Sequence, residues 1–250
     1  MLWYKAWLDT RSRFWIGLAL LVLSTAGVVF GFPRVQRIGP VDLDPNDPLY
    51  QVLSDALELS RTFRGFVWHE WFRQNALTIG ALFAALLGTS NMFSSSRRGV
   101  LFTLSLPASR HQWFATRAAT GLMELLALMV LPALAISLLG TAMGQPYGVG
   151  EALVHALCGF VGVATFFGLA FLLSTIFQDM WRPVVIVCLV AVCLSFLELL
   201  VPNGFGIFTT LSAEQYFRGG SLPWAGLSLF VVATAGLLYA AARQIERLDF

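Results

Sequence analysis

The sequence predicts an all-α membrane protein with six transmembrane helices and an amino-terminal interfacial helix, and three observations lead there. Of 250 residues, 57% are hydrophobic and only 12% charged, about half the ~25% charge of an ordinary soluble domain. With a mean hydropathy of +0.73, too few polar groups remain to coat a soluble core. The apolar residues gather into six long runs, at about 14–32, 76–93, 118–143, 152–177, 184–201 and 224–242. A 19-residue helix is about 28 Å long, close to the ~30 Å of bilayer hydrocarbon, so each run is suited to crossing once. Finally, Trp3, Trp7, Trp15, Trp68, Trp71, Trp113, Trp181 and Trp224 all lie at or just outside the ends of these runs, as an aromatic belt requires.

Met1–Arg13 reads as an amphipathic helix lying on the membrane surface. Leu2, Trp3, Ala6, Trp7 and Leu8 enter the interface while Lys5, Asp9, Arg11 and Arg13 face water; a plain positively charged tail is the alternative. The first run then resembles a signal peptide in its basic start, but it exceeds the length of a signal core and five more runs follow, so it is a retained span. Residues 33–73 form a long connection in which Pro48 opens a helix capped by Asn46 or Asp47. Leu49, Val52, Leu53, Ala56, Leu57 and Phe63 recur at helical spacing, which predicts an external amphipathic helix from about 48 to 64. Asp42, Asp44 and Asn46 alternate like the start of a calcium loop, but Pro45 interrupts them and the glycine and glutamate of such a loop are missing.

The connection 94–117 is basic, carrying Arg97, Arg98, Arg110 and Arg117 without an acid, yet its middle, Val100–Leu106, is too apolar for a solvated linker and too short to span. Such a segment packs against a soluble partner or lies along the headgroups. The last connection, Pro202–Pro223, places Phe205, Ile207, Phe208, Leu211, Tyr216 and Phe217 among glycines. It either dips back into the membrane, with protein satisfying its backbone, or forms an ordered surface loop.

Charge bias sets the orientation. On the side holding both termini and the second and fourth connections lie ten of the 16 basic residues (Lys5, Arg11, Arg13, Arg97, Arg98, Arg110, Arg117, Arg182, Arg243, Arg247). The same side has four of the 14 acids (Asp9, Asp179, Glu246, Asp249). The positive-inside rule therefore predicts that both termini are cytoplasmic.

Little in the chain supports catalysis. Its one lysine, Lys5, precedes every span, so no P-loop is present. His69–Glu70 lacks the second histidine of a zinc protease, because position 73 is Arg73. Gly219–Ser221 only loosely echoes a rhomboid serine motif. Cys158, Cys188 and Cys193 sit in apolar runs as small core residues. His111 reads as solvated or interfacial, and His155 as a hydrogen-bonded residue near a span end. No cofactor or metal on this chain is expected, and the net charge of +2 gives no reason to expect nucleic acid. Two carboxylates fall within spans. Glu124 lines a substrate path, makes a buried hydrogen bond, or pairs with Arg117; Glu198, near the outer end of its span, is structural or snorkels.

The stretch RRGVLFTLSLPASRHQWFATR (Arg97–Arg117) resembles the cytoplasmic segment between spans two and three of ABC-2 type permeases, the membrane subunits of ATP-binding cassette transporters. Gly99, Leu106, Pro107, Ser109 and Arg110 occupy the positions of a glycine, an apolar stretch and a Leu-Pro-x-Ser-Arg turn. FQDMWRP (Phe177–Pro183), LSAEQYF (Leu211–Phe217) and the six-span plan extend the resemblance along the chain. It departs where Ser94–Ser96, Arg97 and Arg98 replace the acids many relatives carry. The resemblance implies a type V exporter-like permease fold in a bacterial inner membrane. It further implies a pathway shared with a second permease subunit, same or homologous, and separate ATPase subunits docked on Arg97, Arg98, Leu101, Phe102, Leu104, Arg110 and His111. Glu124 is the possible pathway residue. A secondary transporter and a non-transporting membrane scaffold or sensor remain as the other classes.

Overall fold

The computed structural model describes residues 2–36, 58–89, 110–177, 179–200 and 206–246, and among these every regular element is helical. The helices are α1 (Leu2–Val35), α2 (Phe63–Val67), α3 (Ala76–Gly88), α4 (Arg110–Ala142), α5 (Val149–Ile176), α6 (Trp181–Leu200), α7 (Ile207–Leu211), α8 (Glu214–Phe217) and α9 (Trp224–Glu246). Five of them, α1, α4, α5, α6 and α9, are long and apolar enough to cross a membrane. The chain is thus a multi-pass membrane protein whose described regular elements are all helical.

The amino terminus differs from the expected interfacial helix. Residues 2–13 continue without a break into the first span as one 34-residue helix, about 51 Å long. Its buried residues, Ala6, Thr10, Phe14, Gly17, Leu21, Thr25, Val29 and Phe32, recur every three or four positions and form one stripe against the bundle. No glycine or proline interrupts residues 2–16, and Thr10 and Arg13 find polar partners inside the bundle, so the chain has no reason to bend onto a surface.

The second apolar run also differs. Its helix begins at Phe63, capped where the Thr62 hydroxyl accepts the Gly65 N–H at 3.1 Å. It then passes through a π-helical stretch, Trp68–Asn75, before resuming as α3. The 13 residues of α3 alone reach only about 20 Å. The wider π turn buries Trp68, Trp71 and Phe72 while leaving His69, Glu70 and Arg73 partly exposed. Two of the expected belt tryptophans are therefore core residues, whereas Trp3, Trp15, Trp181 and Trp224 are exposed. The predicted amphipathic helix at 48–64 lies mostly outside the described residues.

The remaining spans match their apolar runs, with earlier starts at Arg110 and Trp181 because RHQWFATR and WRP are helical. α5 is the centre of the bundle, touching α3, α4, α6, α7 and α9. Glycines permit its closest contacts: a Cβ built on Gly88 of α3 would lie 2.7 Å from both the Ala170 Cβ and the Phe167 carbonyl of α5.

Within the connection after α6, residues 206–223 are an ordered cap. Glu198 accepts the backbone N–H of Phe208 at 2.7 Å and of Thr209 at 3.2 Å, satisfying the start of α7. Leu211, Ser212 and Ala213 are buried. Ala213 adopts φ 54°, a left-handed conformation that costs a non-glycine residue roughly 1–2 kcal/mol, so its surroundings must hold it there.

Candidate functional site

Two polar clusters lie at opposite ends of the bundle. The end carrying the amino terminus includes the flanks of the basic segment between α3 and α4. Arg97, Arg98, Leu101, Phe102 and Leu104 lie outside the described residues, and Arg110 opens α4 with its side chain likewise undescribed. His111, the next residue, is exposed and comes 3.4 Å from Glu246 Oε1 on α9. Phe114, Ala242 and Ile245 complete a cleft of about 320 Å³ between these two helices.

Each flank of that segment is held by α1. At the outgoing flank, the Arg13 guanidinium donates to the carbonyls of Leu86 and Thr89, both at 2.6 Å. These carbonyls close α3, where helical partners run out and a cation is favoured. The other arm of Arg13 lies 2.8 Å from Met180 Sδ in the turn between α5 and α6. One side chain thus ties three elements together.

At the incoming flank, Arg117 is buried and donates to the Ala6 carbonyl at 3.1 Å. Two turns further along α4, Glu124 is buried too and accepts the Thr10 hydroxyl at 2.5 Å. The predicted Arg117–Glu124 pair is therefore not a direct ion pair. Two turns is a long reach along one helix, and the polar edge of α1 offers each group a nearer partner. Residues 6 and 10 meet residues 117 and 124 in ascending order, so α1 and α4 run parallel. Glu124 acts as a helix-to-helix tie, and its Oε2 is buried without a hydrogen-bond partner.

The opposite cluster was not legible as a site. His155 on α5 and Trp68 on the π-helical stretch both direct ring N–H groups at the Ser212 carbonyl, at 2.9 and 3.1 Å. The carbonyl has two lone pairs, and both are used. Trp68 stacks on Phe217 with centroids 4.4 Å apart. Arg64 lies over the same Phe217 ring at 4.8 Å and bonds Glu151 Oε1 at 2.7 Å. These bonds fix the strained turn at Ala213. An aromatic and a histidine more than 50 residues apart give no spacing signal, although the π-helical stretch, a form frequent at functional sites, lies where WHEWFRQN interrupts the apolar pattern.

Among the described residues no group of three or more His, Cys, Asp or Glu side chains is placed to hold a metal. His69 Nδ1 lies 3.3 Å from Glu70 Oε1, and the Glu70 carbonyl accepts from the Asn75 amide at 2.7 Å. Compared with known proteins, the chain matches no family model, no curated protein and no solved structure.

Proposed function

We propose that the chain is the membrane-spanning permease subunit of an ATP-driven exporter of the ABC-2 type, in a bacterial inner membrane with both termini cytoplasmic. The sixth span is the helix that begins at Phe63 and runs through α3. A separate ATPase subunit docks on the basic, apolar segment between α3 and α4, and a second permease subunit completes the pathway. The carrying observation is that segment itself, RRGVLFTLSLPASRHQWFATR, with its four arginines, absence of acids and apolar centre.

The anchoring of its flanks supports the reading mechanically. A push on the segment reaches α3 through the Thr89 carbonyl and α4 through Arg117, and both are bonded to α1. ATP binding to the partner then biases two packings of the bundle, provided the docked states differ in affinity. Glu124 is read as part of this linkage, because one of its carboxylate oxygens accepts the Thr10 hydroxyl.

Purification of the complex from membranes tests the proposal. An ATP-hydrolysing subunit should accompany the chain, and Phe102→Ala should weaken that association by about 1–3 kcal/mol as a buried anchor does. A single arginine change in the segment should have a smaller effect that fades with salt. Retention of the partner by a Phe102→Ala, Leu104→Ala double variant would reduce the segment to a membrane-surface anchor. Transport driven by an ion gradient without any ATPase would overturn the reading.

A further inference from the structure

The cluster around Ser212 holds an unmatched pair of acceptors. The Ser212 carbonyl can only accept, so His155 Nδ1 carries the hydrogen in their 2.9 Å bond. In neutral imidazole Nε2 then has only a lone pair. It is buried, makes no hydrogen bond, and lies 3.9 Å from Glu151 Oε1, one helical turn away. Two acceptors thus face each other with no hydrogen between them. One added proton converts this contact into a charge-assisted bond.

We propose that His155 Nε2 and Glu151 Oε1 form a proton-binding site, whose filling competes with Arg64 for the same carboxylate oxygen. Arg64 Nε already bonds Glu151 Oε1 at 2.7 Å, and its Nη2 donates to the Phe217 carbonyl at 3.2 Å. Closing the His155 gap to a normal bond length draws the carboxylate about 1 Å toward the imidazole. Oε1 is also the atom held by the arginine that fastens α8, so the two donors then contend for one oxygen.

The surrounding groups allow this chemistry. From the turn before α5, Tyr147 is buried, and its ring and that of His155 both touch Phe72, at 6.1 and 5.1 Å. Burial, and then the Glu151 carboxylate, push the Tyr147 phenol above its ordinary value, so it remains a neutral donor. From α8, Tyr216 meets the imidazole edge-on at 5.8 Å and Phe217 lies at 6.4 Å. Arg64 from α2 and Glu151 from α5 supply the charges in this cluster. The cap 206–217 is therefore fastened fully when the site is empty and less so when it is filled.

Only three histidines are present, so isotope-labelled histidine in the full chain, held in lipid nanodiscs, yields three separable imidazole signals by nuclear magnetic resonance. His155→Gln identifies one of them. That signal should show an Nδ1–H neutral ring at pH 8 and double protonation on acidification. Glu151→Gln should move the transition to lower pH and Arg64→Gln to higher pH, each by about one unit. Hydrogen exchange at 206–217, corrected for its intrinsic pH dependence, should accelerate through the same transition in the wild type and stay flat in His155→Gln. Arg64 is half-exposed, so its variant should remain folded even where the buried ones do not. An Nε2–H tautomer at pH 8, no protonation down to pH 4, or equal shifts in the two charge variants would overturn the proposal.

Discussion

Removing Arg13 should loosen the bundle more than its place in a charged amino-terminal stretch suggests. Arg13→Met keeps an unbranched, flexible apolar stem but withdraws the donors to Leu86 O and Thr89 O. The Leu86 carbonyl retains the Thr89 hydroxyl at 3.1 Å, so the main loss falls at Thr89 O, on a residue only 1% exposed. Hydrogen bonds from a charged donor contribute ~1.5–3 kcal/mol each, which sets an upper bound of roughly 3–6 kcal/mol for two. The partly exposed guanidinium no longer has to be desolvated in the variant, and water can reach part of the site, so about 2 kcal/mol should remain. Arg13→Lys restores the charge but not the fork that serves two carbonyls, and should recover roughly half of the loss. Reversible unfolding in bicelles measures both variants, and a loss below about 0.5 kcal/mol for Arg13→Met, the range of an ordinary surface change, would refute the reasoning. If the proposed docking is correct, hydrolysis by the partner should continue in Arg13→Met while transport falls.

The Thr10–Glu124 tie should appear in a double-mutant cycle of Thr10→Val and Glu124→Met, neither of which keeps the hydrogen bond, with a coupling of about 1 kcal/mol by the same unfolding assay; less than about 0.3 kcal/mol would mean that the contact contributes nothing. Gly88→Ala should cost about 1–3 kcal/mol, because the new methyl meets the Phe167 backbone. Gly162→Ala should cost a similar amount, since its methyl would meet Cγ and both δ carbons of the buried Leu211, and an unchanged melting temperature in either variant would contradict the packing described.

The chemical class of the protein was legible in the sequence because hydropathy belongs to a window of residues and needs no partner. Four of the six apolar runs are helices near their expected limits, each long and apolar enough to cross a membrane, whereas of the three cysteines read as small core residues only Cys158 is buried, Cys188 being half-buried and Cys193 exposed. Less legible was where a helix would continue. The charges of WHEWFRQN marked a boundary by composition, but a π-helical register turns its aromatics inward and carries the helix through. Likewise, the basic amino-terminal stretch read as a surface helix until α4 supplied partners for Ala6 and Thr10, more than 110 residues away. Glu198 and His155 were placed as structural or hydrogen-bonded groups, yet their partners, the start of α7 and the Ser212 carbonyl, lie on a cap whose path no local pattern encodes. Burial itself was undecidable from sequence. In a bilayer, a core-facing and a lipid-facing surface are both apolar, so the contrast that marks the inside of a soluble protein is lost. The apolar windows of α5 and α6 have similar hydropathies of 2.3 and 2.0, but 61% of one and 17% of the other is buried; only tertiary packing separates them.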